Sequence, residues 1–174
     1  MLPPKTISEF LQQDHERLDA LLERFSNDLS DREAYLEFRS GLLKHIRFEE
    51  TVLFKAAQGV NNGMPIELAA KLRLDHGAIA ALLVPSPTLK IIQALQTVLR
   101  THNALEEGPD GAYSECDTLL GASSTMREAA EQAIEAFKKM APVPMAKNND
   151  IPLAMESAGR ALERAGFSRS LLTD

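Results

Sequence analysis

The sequence contains a single cysteine among its 174 residues, which excludes an intrachain disulfide framework and any cysteine-rich zinc or iron–sulfur site. Positive charge is in deficit: 19 Lys and Arg face 25 Asp and Glu, a poor balance for binding nucleic-acid phosphates or an anionic membrane surface. No apolar run approaches the ~18 residues of a membrane-spanning helix, and the first residues lack the basic and apolar regions of a signal peptide. We therefore expect a cytoplasmic protein that binds neither nucleic acid nor membrane.

Strand signals are lacking too, because no run of β-branched or aromatic residues alternates with period two between turns. The apolar periodicity instead predicts helices at about 6–27, 31–59, 65–83 and 88–107, a broken segment at 110–121, and further helices at about 125–140 and 152–165. Capping-box patterns at Thr6 and Ser30 mark the first two starts. Short connections favour antiparallel neighbours. We predict an all-α protein, an up-down-up-down four-helix bundle over 1–121 with a C-terminal helical extension over 122–174 that packs on the bundle or on a partner.

One feature of the predicted bundle leaves two possibilities open. In the third and fourth helices, the length of helix between the histidine and the turn that joins them differs by roughly 10 Å, at ~1.5 Å per residue. Either residues 84–91 climb as irregular chain, or the fourth helix starts late.

The first two helices and the next two repeat one pattern. The first and third helices match at an offset of 61 residues, and the second and fourth match at an offset of 57. We infer approximate two-fold symmetry, with the axis passing near whatever the histidines hold. The polar residues that match are Asp14 with Asp75, His15 with His76, His45 with His102, Glu49 with Glu106 and Glu50 with Glu107.

All four histidines of the chain lie on the apolar seams of these helices, and two are followed one helical turn later by a glutamate. A single histidine on such a seam is usually a core residue satisfied by a backbone carbonyl. Four histidines and two glutamates in one core are different, because a buried carboxylate without a partner is severely unfavourable and a metal cation supplies the missing charge. The candidate metal ligands are His15, His45, Glu49, His76, His102 and Glu106.

The number and type of these side chains predict two metal ions. Six ligands exceed one tetrahedral site, and four-helix bundles commonly hold dinuclear carboxylate sites between facing helices. A nitrogen and oxygen set without thiolate favours two iron ions, with manganese or zinc possible. Open coordination positions would then bind small ligands such as oxygen. The expected arrangement is His15 with His45 on one ion, His76 with His102 on the other, and Glu49 and Glu106 bridging.

The segments His45-Ile-Arg-Phe-Glu49 and His102-Asn-Ala-Leu-Glu106, each paired with an Asp-His helix, resemble the hemerythrin-like, or HHE cation-binding, family over about residues 8–120. The resemblance implies a non-haem di-iron centre in a four-helix bundle. Family members include oxygen carriers, oxygen or iron sensors, nitric-oxide-responsive iron-centre repair proteins and proteins with peroxidase-like activity. The respiratory carriers have a fifth histidine one turn along the third helix, where this chain has Leu72 and Ala80. Fewer protein ligands favour redox turnover over reversible oxygenation.

We therefore expect a non-haem di-iron protein that binds oxygen, or a related molecule such as nitric oxide, for sensing, storage or stress response. A di-iron redox enzyme acting on peroxide or nitric oxide is an alternative, as is iron storage, delivery or iron-centre repair. Whether the protein is an enzyme stays open. The C-terminal helices could also join two copies of the chain into a homo-oligomer.

Five further side chains have less specific predictions. Asp14 and Asp75 either hydrogen-bond ring N–H groups of the histidines or serve solvent-facing or capping roles, and the sequence leaves both open. Glu50 and Glu107 are not expected to be ligands, because a position five residues after a histidine leaves the seam. Cys116 is expected to be a small buried apolar residue.

Overall fold

The computed structural model describes residues 6–121, 132, 134–135, 137–141 and 151–173. The helix predicted at 125–140 and the connection at 141–150 fall largely outside the described residues, which contain no strand. The helices are α1 (Ile7–Asn27), α2 (Arg32–Phe48), α3 (Phe54–Val60), α4 (Ala69–Leu82), α5 (Leu89–Glu107), α6 (Ala112–Leu120) and α7 (Ile151–Arg164), with a π turn (Glu49–Leu53) joining α2 to α3 and a 3₁₀ turn (Arg169–Leu172) after α7.

The predicted all-α helical bundle is confirmed. Helix α1 packs beside α2, α4 packs beside α5, and α1 also contacts α5. The four histidines lie at one level and divide the core into two apolar clusters. One cluster contains Leu22, Phe38 and Leu95, and the other contains Leu11 and Phe48. The polar level is therefore enclosed by packed hydrophobic side chains at both ends.

Several helix boundaries differ from the predicted ones. Thr6 caps α1 as expected, because its Oγ1 accepts from the backbone N–H of Glu9 at 3.1 Å. The cap of α2 is Asp31 and not Ser30, since the Asp31 carboxylate accepts from the backbone N–H of Ala34. The segment predicted as broken at 110–121 contains a regular helix, α6.

The level difference between the third and fourth helices is resolved by irregular chain. Helix α5 begins at Leu89, close to the predicted start, so it does not start late. Helix α4 ends at Leu82, and the residues from Leu83 to Thr88 are non-helical. The buried Arg39 guanidinium on α2 donates to the backbone carbonyl of Leu83 at 3.1 Å and so satisfies one of the carbonyls that the helix end leaves free.

Helix α7 lies against α4, and the 3₁₀ turn that follows it contacts α5. Its buried face consists mainly of small side chains, with Ala158, Ala161 and Leu162 joining the same apolar cluster as the bundle residues. The boundary at residue 121 and any contact with a second copy stay predictions. None of the described helices is long and apolar enough to cross a membrane.

Candidate metal centre

The structure brings all six predicted site residues together in the middle of the bundle. Their side chains are buried, and both glutamates have no exposed surface. Each helix of the bundle contributes a histidine, and the glutamates follow one turn later on two of them. The contributions are His15 from α1, His45 from α2, Glu49 from the π turn, His76 from α4, and His102 and Glu106 from α5.

The six side chains form two overlapping groups. In each group the potential ligand atoms all lie within 4.8 Å of one another. Both glutamates belong to both groups, whereas each histidine belongs to one. The first group consists of His15, His45, Glu49 and Glu106, and the second consists of Glu49, His76, His102 and Glu106.

Each glutamate divides its two carboxylate oxygens between the groups. Glu49 Oε1 lies 3.3 Å from His45 Nε2, and Glu49 Oε2 lies 3.2 Å from His76 Nε2. Glu106 Oε2 lies 3.5 Å from His15 Nε2, and Glu106 Oε1 lies 3.2 Å from His102 Nε2. This is the arrangement that two bridging carboxylates between a pair of ions would have.

The cluster fits a cation. Glu49 Oε2, His76 Nε2 and both carboxylate oxygens of Glu106 are buried and have no hydrogen-bond partner among the described residues. An unpaired buried carboxylate is costly, so these oxygens require positive charge nearby. Imidazole nitrogens and carboxylate oxygens are ligands that iron, manganese and zinc accept. The residues present therefore suit a divalent or trivalent metal ion.

A carboxylate faces the Nδ1 atom of every histidine. When Nδ1–H donates to a carboxylate, the ring orientation is fixed and the Nε2 lone pair is left to face the centre, as metal-binding histidines require. The Nδ1-to-oxygen distances are 2.5 Å for His15 with Glu107, 3.0 Å for His45 with Asp14, 2.9 Å for His76 with Glu50 and 3.7 Å for His102 with Asp75.

These contacts decide the open question about Asp14. It accepts the His45 ring N–H, and the Arg17 guanidinium donates to its other oxygen at 2.9 Å. Asp75 faces His102 at a distance too long for a hydrogen bond, and its other oxygen accepts from Lys71. Both halves of the bundle thus place the matching aspartate opposite a histidine ring, as the sequence repeat predicts, but only Asp14 is close enough for a hydrogen bond.

Glu50 and Glu107 have a role that the sequence analysis missed. Both stay outside the two candidate ligand groups, as expected from their position off the seam. They instead contact histidines on neighbouring helices, where Glu50 meets His76 and Glu107 meets His15. The available signal was the repeat itself, since Glu50 and Glu107 are among the pairs that match at an offset of 57.

Tyr113 is a further polar residue beside the first group that the sequence did not reveal. Its hydroxyl donates to Glu49 Oε1 at 2.5 Å. Burial and the neighbouring carboxylates of Glu49 and Glu106 raise the pKa of Tyr113 well above its usual value. Nothing in the local pattern distinguishes this tyrosine, because it lies in the segment expected to be broken. Cys116, on the same helix, is buried as expected, and burial raises the pKa of its thiol to about 12.

Electrostatics couples the histidines to the buried carboxylates. Burial by itself would lower the pKa of His45, but Glu49 and Asp14 outweigh it and raise that pKa to about 10. For His76, Glu106 and Glu49 outweigh burial in the same way and raise the pKa to about 11. The pKa of Glu49 is held well below its usual value because His45 and His76 overcome its burial. Without metal, the raised pKa values keep His45 and His76 protonated, so that protons supply the positive charge that a cation would bring.

A helical bundle with a paired His and Glu cluster in its core defines a class of cation-binding domains. The family model described as hemerythrin HHE cation binding domain matches residues 6–122. The match covers more than half of the chain, which therefore belongs to this family and confirms the resemblance seen in its two His-x-x-x-Glu segments. Comparisons with curated proteins and with solved structures gave no significant match.

Proposed function

We propose that this chain holds two iron ions in the His and Glu cluster and binds oxygen or nitric oxide there, for sensing, storage or stress response. The family membership and the buried cluster support metal binding; iron and the diatomic ligand are our proposal. In this assignment Glu49 and Glu106 bridge the pair, His15 and His45 bind the first ion, and His76 and His102 bind the second.

One observation carries this proposal: the oxygens of Glu49 and Glu106 are divided between two groups of histidines. With a single ion held by one oxygen of each carboxylate, the other oxygen of Glu106 would remain buried without a hydrogen-bond partner among the described residues. Bound as a pair, iron ions supply open coordination positions that take a small ligand. The protein side chains hold and orient the ligands, and apolar clusters pack against both ends of the site.

A redox enzyme acting on peroxide or nitric oxide is the second candidate. It is favoured by the absence of any ligand side chain one turn from His76, because Leu72 and Ala80 occupy those positions. Leu72 is fully buried in an apolar cluster. A site with fewer protein ligands leaves more positions open to substrate, which suits turnover.

The metal assignment is tested by replacing the shared glutamate. Glu49→Ala should lose both ions, because Glu49 belongs to both groups. The matched control is Glu33→Ala, an exposed glutamate on α2, the helix that the π turn continues. Iron content would be measured on the purified full chain after anaerobic loading. Unchanged iron in the Glu49 variant would contradict the assignment.

The ligand is tested by the visible absorption spectrum of the reduced, iron-loaded protein as oxygen is added and removed. A band that appears and fades reversibly supports an oxygen-binding role. A one-way change to a ferric spectrum favours the enzyme, and turnover of added peroxide would then identify it. Iron that a chelator removes readily would point to storage or delivery. No spectral change would contradict iron itself.

A further inference from the structure

The two groups of candidate ligands are related by the sequence repeat, but their surroundings differ. The Tyr113 hydroxyl lies against the first group. Beside the second group, the aromatic ring that stacks on His76 is Phe54, at 6.4 Å between centroids and 9° between planes. Phe54 offers no donor atom. The Tyr113 hydroxyl thus contacts the Nε2 atoms of both histidines in the first group, whereas His76 Nε2 in the second group has no hydrogen-bond partner among the described residues.

The position of the Tyr113 oxygen is that of a fellow ligand. It lies 3.3 Å from His45 Nε2, 3.4 Å from His15 Nε2 and 2.5 Å from Glu49 Oε1. Two ligands of one ion, each about 2.1 Å from it, are roughly 3.0–3.4 Å apart. The 2.5 Å contact is the hydrogen bond that the phenol donates to Glu49, whereas the two histidine contacts have the spacing of fellow ligands. The phenol oxygen can accept from His15 or His45 only where Nε2 carries a proton, and a metal-binding Nε2 carries none.

Helix α6 is fixed so that Tyr113 points into the bundle. Its N-cap residue, Gly111, lies against the end of α5, where a Cβ atom would be 2.5 Å from the backbone oxygen of Glu106. Ser8 on α1 donates to Asp117 at 2.8 Å, and the backbone N–H of Glu67 donates to Glu115 at 3.0 Å. Only glycine permits this close contact between α6 and α5. The contact lies two residues before Tyr113 and beside Glu106, a candidate ligand.

We propose that Tyr113 is a fifth protein ligand of the first ion, so that small ligands bind on the second ion. Binding replaces the phenol O–H bond with an oxygen–metal bond and releases the proton to solvent. A bound cation reverses the local preference for the neutral group, and tyrosine ligates iron in other proteins. The inference rests on the proposed function, because it requires metal in the cluster.

The test uses the ferric, iron-loaded full chain. Ferric phenolates absorb in the visible, and resonance Raman excitation in that band enhances the tyrosine ring modes. We expect both signals in the wild type and their loss in Tyr113→Phe, with each spectrum normalised to the iron that the protein holds. The control is Tyr35→Phe, since the chain has two tyrosines and Tyr35 lies in the apolar cluster around Phe25 and Phe38.

Azide, as a probe of open positions, should change the ferric spectrum of the wild type while the tyrosinate band persists. Disappearance of that band on azide addition would overturn the assignment of small ligands to the second ion. Iron-loaded wild type without a tyrosinate band, or a band that survives in Tyr113→Phe, would overturn the role of Tyr113 and leave the proposed function intact. Failure to load iron would instead overturn the proposed function, and this inference with it.

Discussion

At the scale of the residue, three of the four histidines depend on a partner from another element. Their Nε2 atoms face the centre, and a carboxylate from a neighbouring element accepts from the other ring nitrogen. His45 is held by Asp14 from α1, and His76 by Glu50 from the π turn. Such partners raise the basicity of the ligand and determine its orientation, so their loss lowers metal affinity even though they do not touch the metal.

Glu50 allows this dependence to be measured at one half of the site. Glu50→Ala should weaken metal binding at the second ion by about 10–100-fold, because the His76 ring loses its orienting carboxylate. The first ion should be little affected, since the Glu50 carboxylate contacts His76, which belongs to the second group alone. Affinity would be measured by competition with a chelator, with Glu33→Ala as control. Equal loss at both ions, or no loss, would contradict the orienting role.

The sequence identified the six candidate ligands that the structure brings together, and it offered Asp14 as one possible partner, but it did not reveal the partners Glu50 and Glu107. Seam spacing depends on one helix alone, and it is enough to place His45 and Glu49 on a buried face. The contact of Glu107 with His15 depends on how α5 approaches α1, which no local pattern encodes. Tyr113 is harder still to predict, because its position depends on the close approach of Gly111 to α5.

At the scale of the element, the second predicted helix shows why apolar periodicity predicts the length of a helix better than it predicts which residues face the core. It was expected as one helix over 31–59, and the chain does remain helical to Val60. The π turn at Glu49–Leu53 adds a residue to one turn, so Leu53 is fully buried while the seam position Val52 is only half-buried. Such turns are common at functional sites. The regular spacing of apolar residues, alternately three and four apart along the sequence, does not reveal the extra residue.

Helix α7 of the C-terminal extension is expected to contribute to the stability of the fold. Leu162 is fully buried in the bundle's apolar cluster, whereas Leu153 on the same helix is 60% exposed. Leu162→Ala should lower the free energy of unfolding by about 2–5 kcal/mol, while Leu153→Ala should change it by less than about 0.5 kcal/mol. Chemical denaturation of the full chain measures both. Equal effects would mean that α7 does not pack on the bundle in solution.

At the scale of the whole molecule, the His and Glu cluster couples the stability of the fold to metal binding. Two apolar clusters stabilise the bundle from either end, and between them lie side chains whose charges must balance inside the core. Protons on His45 and His76 provide that balance when metal is absent. Metal must displace those protons, so ion and protons compete for one site and the stability of the fold depends on which is present.

This competition predicts that the stability of the metal-free fold and the stability gained on metal loading change in opposite directions as pH rises. Without metal, the raised pKa values of His45 and His76, about 10 and 11, stabilise the fold fully below their ordinary 6.5, and this contribution is lost as pH rises through those values. The lowered pKa of Glu49 contributes above its ordinary 4.5 and is lost as pH falls through the lowered value. The cluster therefore stabilises the metal-free fold most between 4.5 and 6.5.

Metal binding needs unprotonated ligands, so the gain in Tm on loading should grow as pH rises from about 6 to about 8. Zn²⁺ serves as a redox-inactive ion for this measurement, and thermal unfolding of the full chain followed by circular dichroism reports both forms. Glu49→Ala, which lacks the shared carboxylate, should show little gain at either pH. A gain that is constant or larger at the acid end would mean that ion and protons do not compete at the histidines, and that the metal lies elsewhere in the molecule.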